Sequence, residues 1–380
     1  MASDSTPETD RDESGGGSGN ESGGGSPDGS GDDSGEVVTL AHGAGGEAMR
    51  SLVDELVVPR FTDGDRTAGV GEGGVGLAAL DDGAVHPIGD GSQAIVVTTD
   101  SHVVTPRFFQ GGDIGRLAVA GTVNDLAVMG ATEPLTLTCS FVLEEGTPIA
   151  DVERVVESMR KTAREAGATI STGDTKVMGN GEIDGIVINT AGIAHVDAGD
   201  AVTDAGLRPG DAVIVSGTMG DHGIALLAER EGFDFTGDLK SDVAPVNDLV
   251  RAAMAAGEVT AMKDPTRGGL ANALNEMADK ADVGIDVVER DIPVSGAIAS
   301  AGEVLGIDPF AVANEGKVVF GVDPGDADAV LEAIKDRPGG QEAAIVGHAT
   351  EEHPGRVVVD TGFGRRYMSE PEGETLPRIC

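Results

Sequence analysis

Six aspartates stand among small residues where strands would end and helices begin. They are Asp100 in TTDSHVV, Asp113 in GGDIG, Asp125 in GTVNDLAVMG, Asp174 in STGDTKV, Asp221 in SGTMGDHG and Asp264 in DPTRGG. Oxygen-only ligands of this kind suit Mg2+, which keeps several waters and bridges to phosphate oxygens. Taken singly, each is more often an N-cap or a turn former. Asp125 is the sharpest, because with Asn124 it lies inside an otherwise apolar helix pattern, where a carboxylate is costly unless it meets a metal or a donor. Gly111 with Gly112, and Gly268 with Gly269 just after Arg267, stand at helix starts. Free amides there can hold an anion, although such glycines also serve as ordinary caps. No Gly-x-x-x-x-Gly-Lys-Ser/Thr loop is present, which excludes an ordinary P-loop nucleotidase.

Two cations and one carboxylate extend the set: Lys176 in GDTKV, and Glu315 with Lys317 in NEGKVVF. A Lys and a Glu brought together near a phosphate could act as charge stabiliser and general base, while an exposed ion pair is the commoner fate of such residues. His42 and His222 could touch a nucleotide, but a lone His is more often structural. Of the two cysteines, Cys139 lies in the apolar run LTLTCSF and reads as core. Cys380 is the last residue of a tail ending in PRIC. Packing offers no reason for a terminal cysteine, whereas an extended tail can carry a covalent group between sites.

The elements that must position these groups alternate between helix and strand. Residues 94–99 form a β-branched run and 114–130 a long helix pattern rich in small residues. The cleanest helix runs from Thr147, expected as N-cap with Pro148 at N1, to Gly167. Strands are expected at 168–172 and 185–194. A second series follows: strand 212–216, helices 223–231, 243–256 and 269–280, strand 284–288, helix 326–334, and strands 343–348 and 356–359. These imply an α/β chain with two halves, 37–203 and 204–361, followed by an extended, mobile tail over 362–380. A GxGxxG pattern at Gly71, Gly73 and Gly76 lacks the flanking strand and helix of a dinucleotide site and reads as a loop.

Residues 2–35 are Ser, Gly, Asp and Glu with almost nothing apolar. They cannot offset ordering entropy by burial, so 1–36 is expected to be a disordered head. Lys+Arg 26 against Asp+Glu 66 gives a formal net charge of -40, which speaks against nucleic acid and anionic lipid as partners. The acid is spread along the chain, as on a solvated, salt-adapted halophilic surface. Two cysteines without a Cys/His cluster argue against a disulfide scaffold or zinc site. Neither a signal peptide nor a spanning run is visible, so the expected location is cytoplasmic.

From His42 to Cys380 the chain resembles the hydrogenase maturation carbamoyl dehydratases, the HypE family. The resemblance rests on LAHGAGGEAM, TTDSHVVTPRFFQGGDIGRLAVAGTVNDLAVMGA, LEEGTP, TGDTKV, INTAG, SGTMGDHG, DPTRGG, ANEGK and the terminal PRIC. The nucleotide motifs are shared with a wider superfamily that includes aminoimidazole ribonucleotide (AIR) synthetase and selenophosphate synthetase; PRIC makes the match specific. The resemblance implies a two-domain PurM-like fold, with a barrel-like homodimer core built from N-terminal domains. It implies ATP and Mg2+ as cofactors, held by Asp100, Gly111, Gly112, Asn124, Asp125, Asp174, Asp221, Asp264, Arg267 and Gly268, with Asp100, Asp125 and Asp174 on the metal. It implies that the carbamoyltransferase HypF loads Cys380 and that the HypC–HypD iron scaffold complex receives the product. Glu315, as base, and Lys176 match the residues that work on the carboxamide. A selenophosphate synthetase would need a reactive Cys near the N-terminus, and none precedes Cys139. A silent nucleotide-binding scaffold would not need the Asp, Lys, Glu and Cys set.

Overall fold

The computed structural model describes residues 37–43, 46–63, 70, 73–233 and 239–371. The head 1–36, Gly71 of the loop motif and the terminal Cys380 lie outside them. From Thr39 onward the chain clusters as one compact unit built on two sheets.

The chain enters through α1 (Glu47–Leu52), a π-helical stretch and α2 (Val58–Phe61). The first sheet then takes β1 (Ala84–Ile88) and β2 (Gln93–His102), and a two-residue hairpin, β3 (Phe108–Phe109) and β4 (Gly112–Asp113), leads into α3 (Ile114–Val128). After β5 (Pro134–Glu144), α4 (Ile149–Glu165), β6 (Ile170–Met178) and β7 (Ile186–Asp197) it is complete, with spatial order β1-β2-β7-β5-β6. Alternating burial along β2 and β7 is what a strand with one covered face gives. The cover is α3. Its small residues let it lie close: a side chain at Gly192 of β7 would meet Leu126 and Thr122 at 2.8 Å.

The second sheet collects β8 (Ala212–Val215), β9 (Val259–Lys263), β10 (Gly284–Val288), β11 (Val319–Val322), β12 (Ala344–Thr350), β13 (Arg356–Asp360) and β14 (Arg365–Tyr367). Their order is β14-β13-β10-β12-β8-β11-β9. Between them run α5 (Asp221–Arg230), α6 (Asn247–Ala256), α7 (Gly269–Ala281), α8 (Gly296–Leu305) and α9 (Ala327–Lys335). All four residues of β8 are buried: Val213 and Val215 pack with Leu270, Leu274 and Met277 of α7, and Ile214 packs with α6 and α9. Ala127 and Val128 of α3 share that last core, so the halves are packed through α3. No helix among the described residues is long and apolar enough to cross a membrane.

Three expectations about elements need correction. Thr147 does not cap α4; the helix begins at Ile149 with Pro148 as N-cap, and the Thr147 hydroxyl donates to the Gly185 carbonyl at 3.3 Å. The helix expected from residue 243 starts at Asn247; the residues before it are tied to the first half, by Arg116 Nε donating to the Val243 carbonyl and Val246 N–H donating to Asn124 Oδ1. The segment from Gly362 is not free at its start. It turns through Gly364, pairs as β14 with β13 and buries Met368.

Candidate functional site

Between the two sheets lies a cleft of about 540 Å3. It is walled by the turn before β1, the end of β2, one face of α3, the loop from β9 to α7, the first turns of α7, α1 and Glu315. On β2 the two-residue period turns Thr98, Asp100 and His102 to one side. On α3, Asp125 stands one turn beyond Gly121. That glycine leaves room for the site: a Cβ there would crowd the His102 ring at 3.1 Å and touch Asp100 Oδ2 at 3.7 Å. Thr98 Oγ1 reaches Asp125 Oδ2 at 2.9 Å and the Asp82 carbonyl at 2.8 Å. His102 Nε2 lies 3.2 Å from Thr190 Oγ1, and burial lowers its pKa.

The cleft concentrates negative charge. Burial first, then the charges of Asp264, Asp100 and Asp82, push the Asp125 carboxyl well above its ordinary range. Burial and Asp82 push Asp264 up to about 8, against the opposing pull of Lys263. Burial, Asp204 and Asp82 push Asp81 to about 7. Like charges crowded in a poorly hydrated site disfavour ionisation in this way. Lys263 is the main internal counter-cation, with Nζ 3.1 Å from Asp82, 3.2 Å from Asp204 and 3.2 Å from Glu276. Lys280 adds an ion pair to Asp204 at 2.6 Å. Two buried carboxylate oxygens of the cleft, Asp82 Oδ2 and Asp264 Oδ2, still have no hydrogen-bond partner, and nor does the amide oxygen of Asn272.

Such a site fits a hydrated divalent cation arriving with a phosphate chain, since a bound cation inverts the local pKa logic. Among the described residues no three His, Cys, Asp or Glu side chains gather closely enough to enclose a metal ion alone. A Mg2+ ion here would therefore draw on one or two carboxylates, waters and phosphate oxygens. At the far wall, Gly268 adopts φ 76° and opens α7, so the helix amide end lies next to Arg267 and Asp264.

Five of the residues singled out by sequence therefore meet in one cleft: Asp100, Asp125, Asp264, Arg267 and Glu315. Gly268 adjoins it. The others lie elsewhere. Asp174 and Lys176 pair with each other at 2.7 Å on the exposed edge strand β6. Strands β7 and β5 separate β6 from β2, which at about 4.8 Å per strand puts Asp174 too far from Asp100 to share an ion within one chain. Lys176 likewise does not line the cleft with Glu315. Gly111 and Gly112 pack against the second half: side chains there would meet the Ser241 carbonyl at 2.5 Å and Val243 at 2.6 Å. Asn124 turns away from Asp125, donating to the Ala244 and Glu315 carbonyls and accepting from Val246 N–H. Asp221 opens α5 and accepts from Thr218 at 2.5 Å. Asp113 caps α3 through the Gly115 and Arg116 amides. Cys139 is buried, and burial pushes its thiol up to about 11.

Sequence reasoning missed Asp81, Asp82, Lys263 and Glu276. The available signals were the acidic doublet LDDGA at the entrance to β1, and a lysine ending an apolar strand directly before DPTRGG.

The AIR synthase related protein family matches this chain in two pieces, its N-terminal domain over residues 80–196 and its C-terminal domain over 208–360. A carbamoyl dehydratase HypE of Cupriavidus necator is 46% identical over 345 residues, 90% of this chain and 95% of that protein. The chain belongs to the HypE family. Among solved structures, a HypE-HypF complex aligns with TM-score 0.75 at 41% identity, covering 84% of this chain and 100% of that one. A HypE in complex with ATP aligns with TM-score 0.73 at 39% identity, covering 90% and 100%. The two-sheet α/β architecture is thus that of the HypE structures, and the hydrogenase maturation reading outweighs a sibling synthetase.

Proposed function

We propose that this chain dehydrates a carbamoyl group carried on its own Cys380 to a thiocyanate, using ATP, and so supplies the cyanide ligand of a NiFe-hydrogenase iron centre. The observation that carries the reading is the acidic cleft, with its two partnerless carboxylate oxygens, at the amide end of α7. It suits a triphosphate with its cation, in a family whose members include a HypE solved with ATP. One or two of the carboxylates among Asp82, Asp100, Asp125 and Asp264 would hold Mg2+ together with the triphosphate, and the ion would offset the triphosphate charge and polarise the γ-phosphoryl group.

An amide oxygen is a poor leaving group until it is phosphorylated. The carbamoyl oxygen takes the γ-phosphoryl group as ADP leaves and one N–H proton is lost. The C–O bond then breaks, phosphate departs, and Glu315 takes the second N–H proton, leaving S–C≡N. Because Lys176 and Asp174 do not line the cleft of their own chain, in this reading they act from a second copy docked at β6. HypF loads Cys380, and the HypC–HypD complex takes the cyanide. A positioned base typically contributes ~100- to 10,000-fold, so Glu315→Gln should bind ATP and accept the carbamoyl group but stall there. Single-turnover mass spectrometry of the loaded protein tests this, and water loss at the wild-type rate would remove Glu315 from the role.

A further inference from the structure

Glu315 sits on a loop, residues 314–317, with no helix or strand to fix it. A strap formed by residues 241–246 lies against that loop. The strap is anchored on the first half by Ser241 N–H to the Gln110 carbonyl at 2.9 Å, Arg116 Nε to the Val243 carbonyl at 2.7 Å, and Val246 N–H to Asn124 Oδ1 at 2.9 Å. Its approach to the loop is so close that a side chain at Gly316 would stand 2.1 Å from the Asp242 carbonyl.

Asp242 is the side chain that the strap presents to the loop. Its Oδ1 accepts from the Glu315 backbone N–H at 3.1 Å. Its Oδ2 accepts from Asn314 Nδ2 at 2.9 Å and Lys317 Nζ at 3.2 Å. Three donors from three of four consecutive loop residues thus converge on one carboxylate, and both members of the Asp242–Lys317 ion pair are buried. On the other side of Glu315, its carbonyl accepts from Asn124 Nδ2 at 3.2 Å and from Ala244 N–H at 3.3 Å. We infer that Asp242 is a positioning residue for the dehydration: through the Glu315 amide and Lys317 it holds the Glu315 backbone in register with the cleft. The inference rests on the reading of Glu315 as base.

A buried ion pair could instead serve stability alone, and the two roles separate kinetically. A misplacement of 1 Å costs on the order of 100-fold in rate, so Asp242→Ala should lower kcat by that order. The KM for ATP should stay unchanged, because Asp242 does not line the cleft. Asp242→Asn keeps the shape and one acceptor for the Glu315 amide, and it should restore part of the rate. It also serves where the alanine variant fails to fold.

The deciding experiment is a double-mutant cycle on the full-length, carbamoyl-loaded protein, reading single-turnover water loss from Cys380 at saturating ATP. If Asp242 works through Glu315, Asp242→Asn slows the wild type but costs nothing further in a Glu315→Gln background. Multiplicative losses, or a loss confined to the KM for ATP, overturn the proposal. So does a wild-type rate in both Asp242 variants while Glu315→Gln is slow, which leaves the base assignment standing. A wild-type rate in Glu315→Gln removes the base assignment and this inference with it.

Discussion

The chain contains two buried polar clusters built from the same residue types but balanced in opposite ways. In the cleft, Asp81, Asp82, Asp125 and Asp264 crowd together, two of their oxygens have no partner, and Lys263 is shared among three acids. Around Asp242, some of the same chemistry is closed: both oxygens are occupied, and one lysine meets one acid. Burial alone would raise Asp242, yet Lys317 and the Asn314 amide hold it below its usual value. A buried acid left in surplus marks a place where something else must bind, whereas a buried acid fully met fixes a backbone. The difference is one of satisfied valence rather than of sequence, since both clusters read as Asp among small residues.

The largest separation between the clusters should come from Asp125→Asn. Removing one carboxylate from a crowded set relieves repulsion, so thermal stability should hold or rise while Mg-ATP turnover is abolished. Asp242→Asn should do the reverse to stability, because it sets an amide against the Lys317 ammonium inside a closed network. Melting curves and ATPase assays on the two variants check both signs together. Near-normal turnover in Asp125→Asn would take that residue out of the site.

A smaller effect should appear in the pH dependence of stability. Asp264 is raised from 3.8 to about 8, so between these values the folded chain binds more protons than the unfolded one. Stability from this group is therefore fullest below the unfolded value and is lost as pH rises toward 8. The melting temperature without ligand should fall across that window, and Asp264→Asn should flatten the fall. Equal slopes in the two proteins would mean that Asp264 is not the source.

Much of this was legible in the sequence where local pattern decides. The α3, α7 and β10 segments follow from periodicity and from caps, and Asp100, Asp125 and Asp264 were visible because each interrupts an apolar or small-residue run. What escaped was non-local. Asp82 and Lys263 are 181 positions apart, so neither could be read as the other's partner. Asp174 and Lys176 were legible as a motif, but the strand order that sets two strands between β6 and β2 was not. Asn124 was read with Asp125 as one unit, although neighbours on a helix point about 100° apart and here serve different halves.

The terminal thiol decides the reading most directly. Full-length protein incubated with HypF, carbamoyl phosphate and ATP should gain the mass of one carbamoyl group on the C-terminal peptide and then lose one water from it. Cys380→Ala should abolish both changes while keeping the fold and nucleotide binding, and Cys139→Ala should alter neither. An adduct on Cys139, or one that persists in the Cys380→Ala protein, would contradict the carrier role of Cys380 and the thiocyanate chemistry built on it.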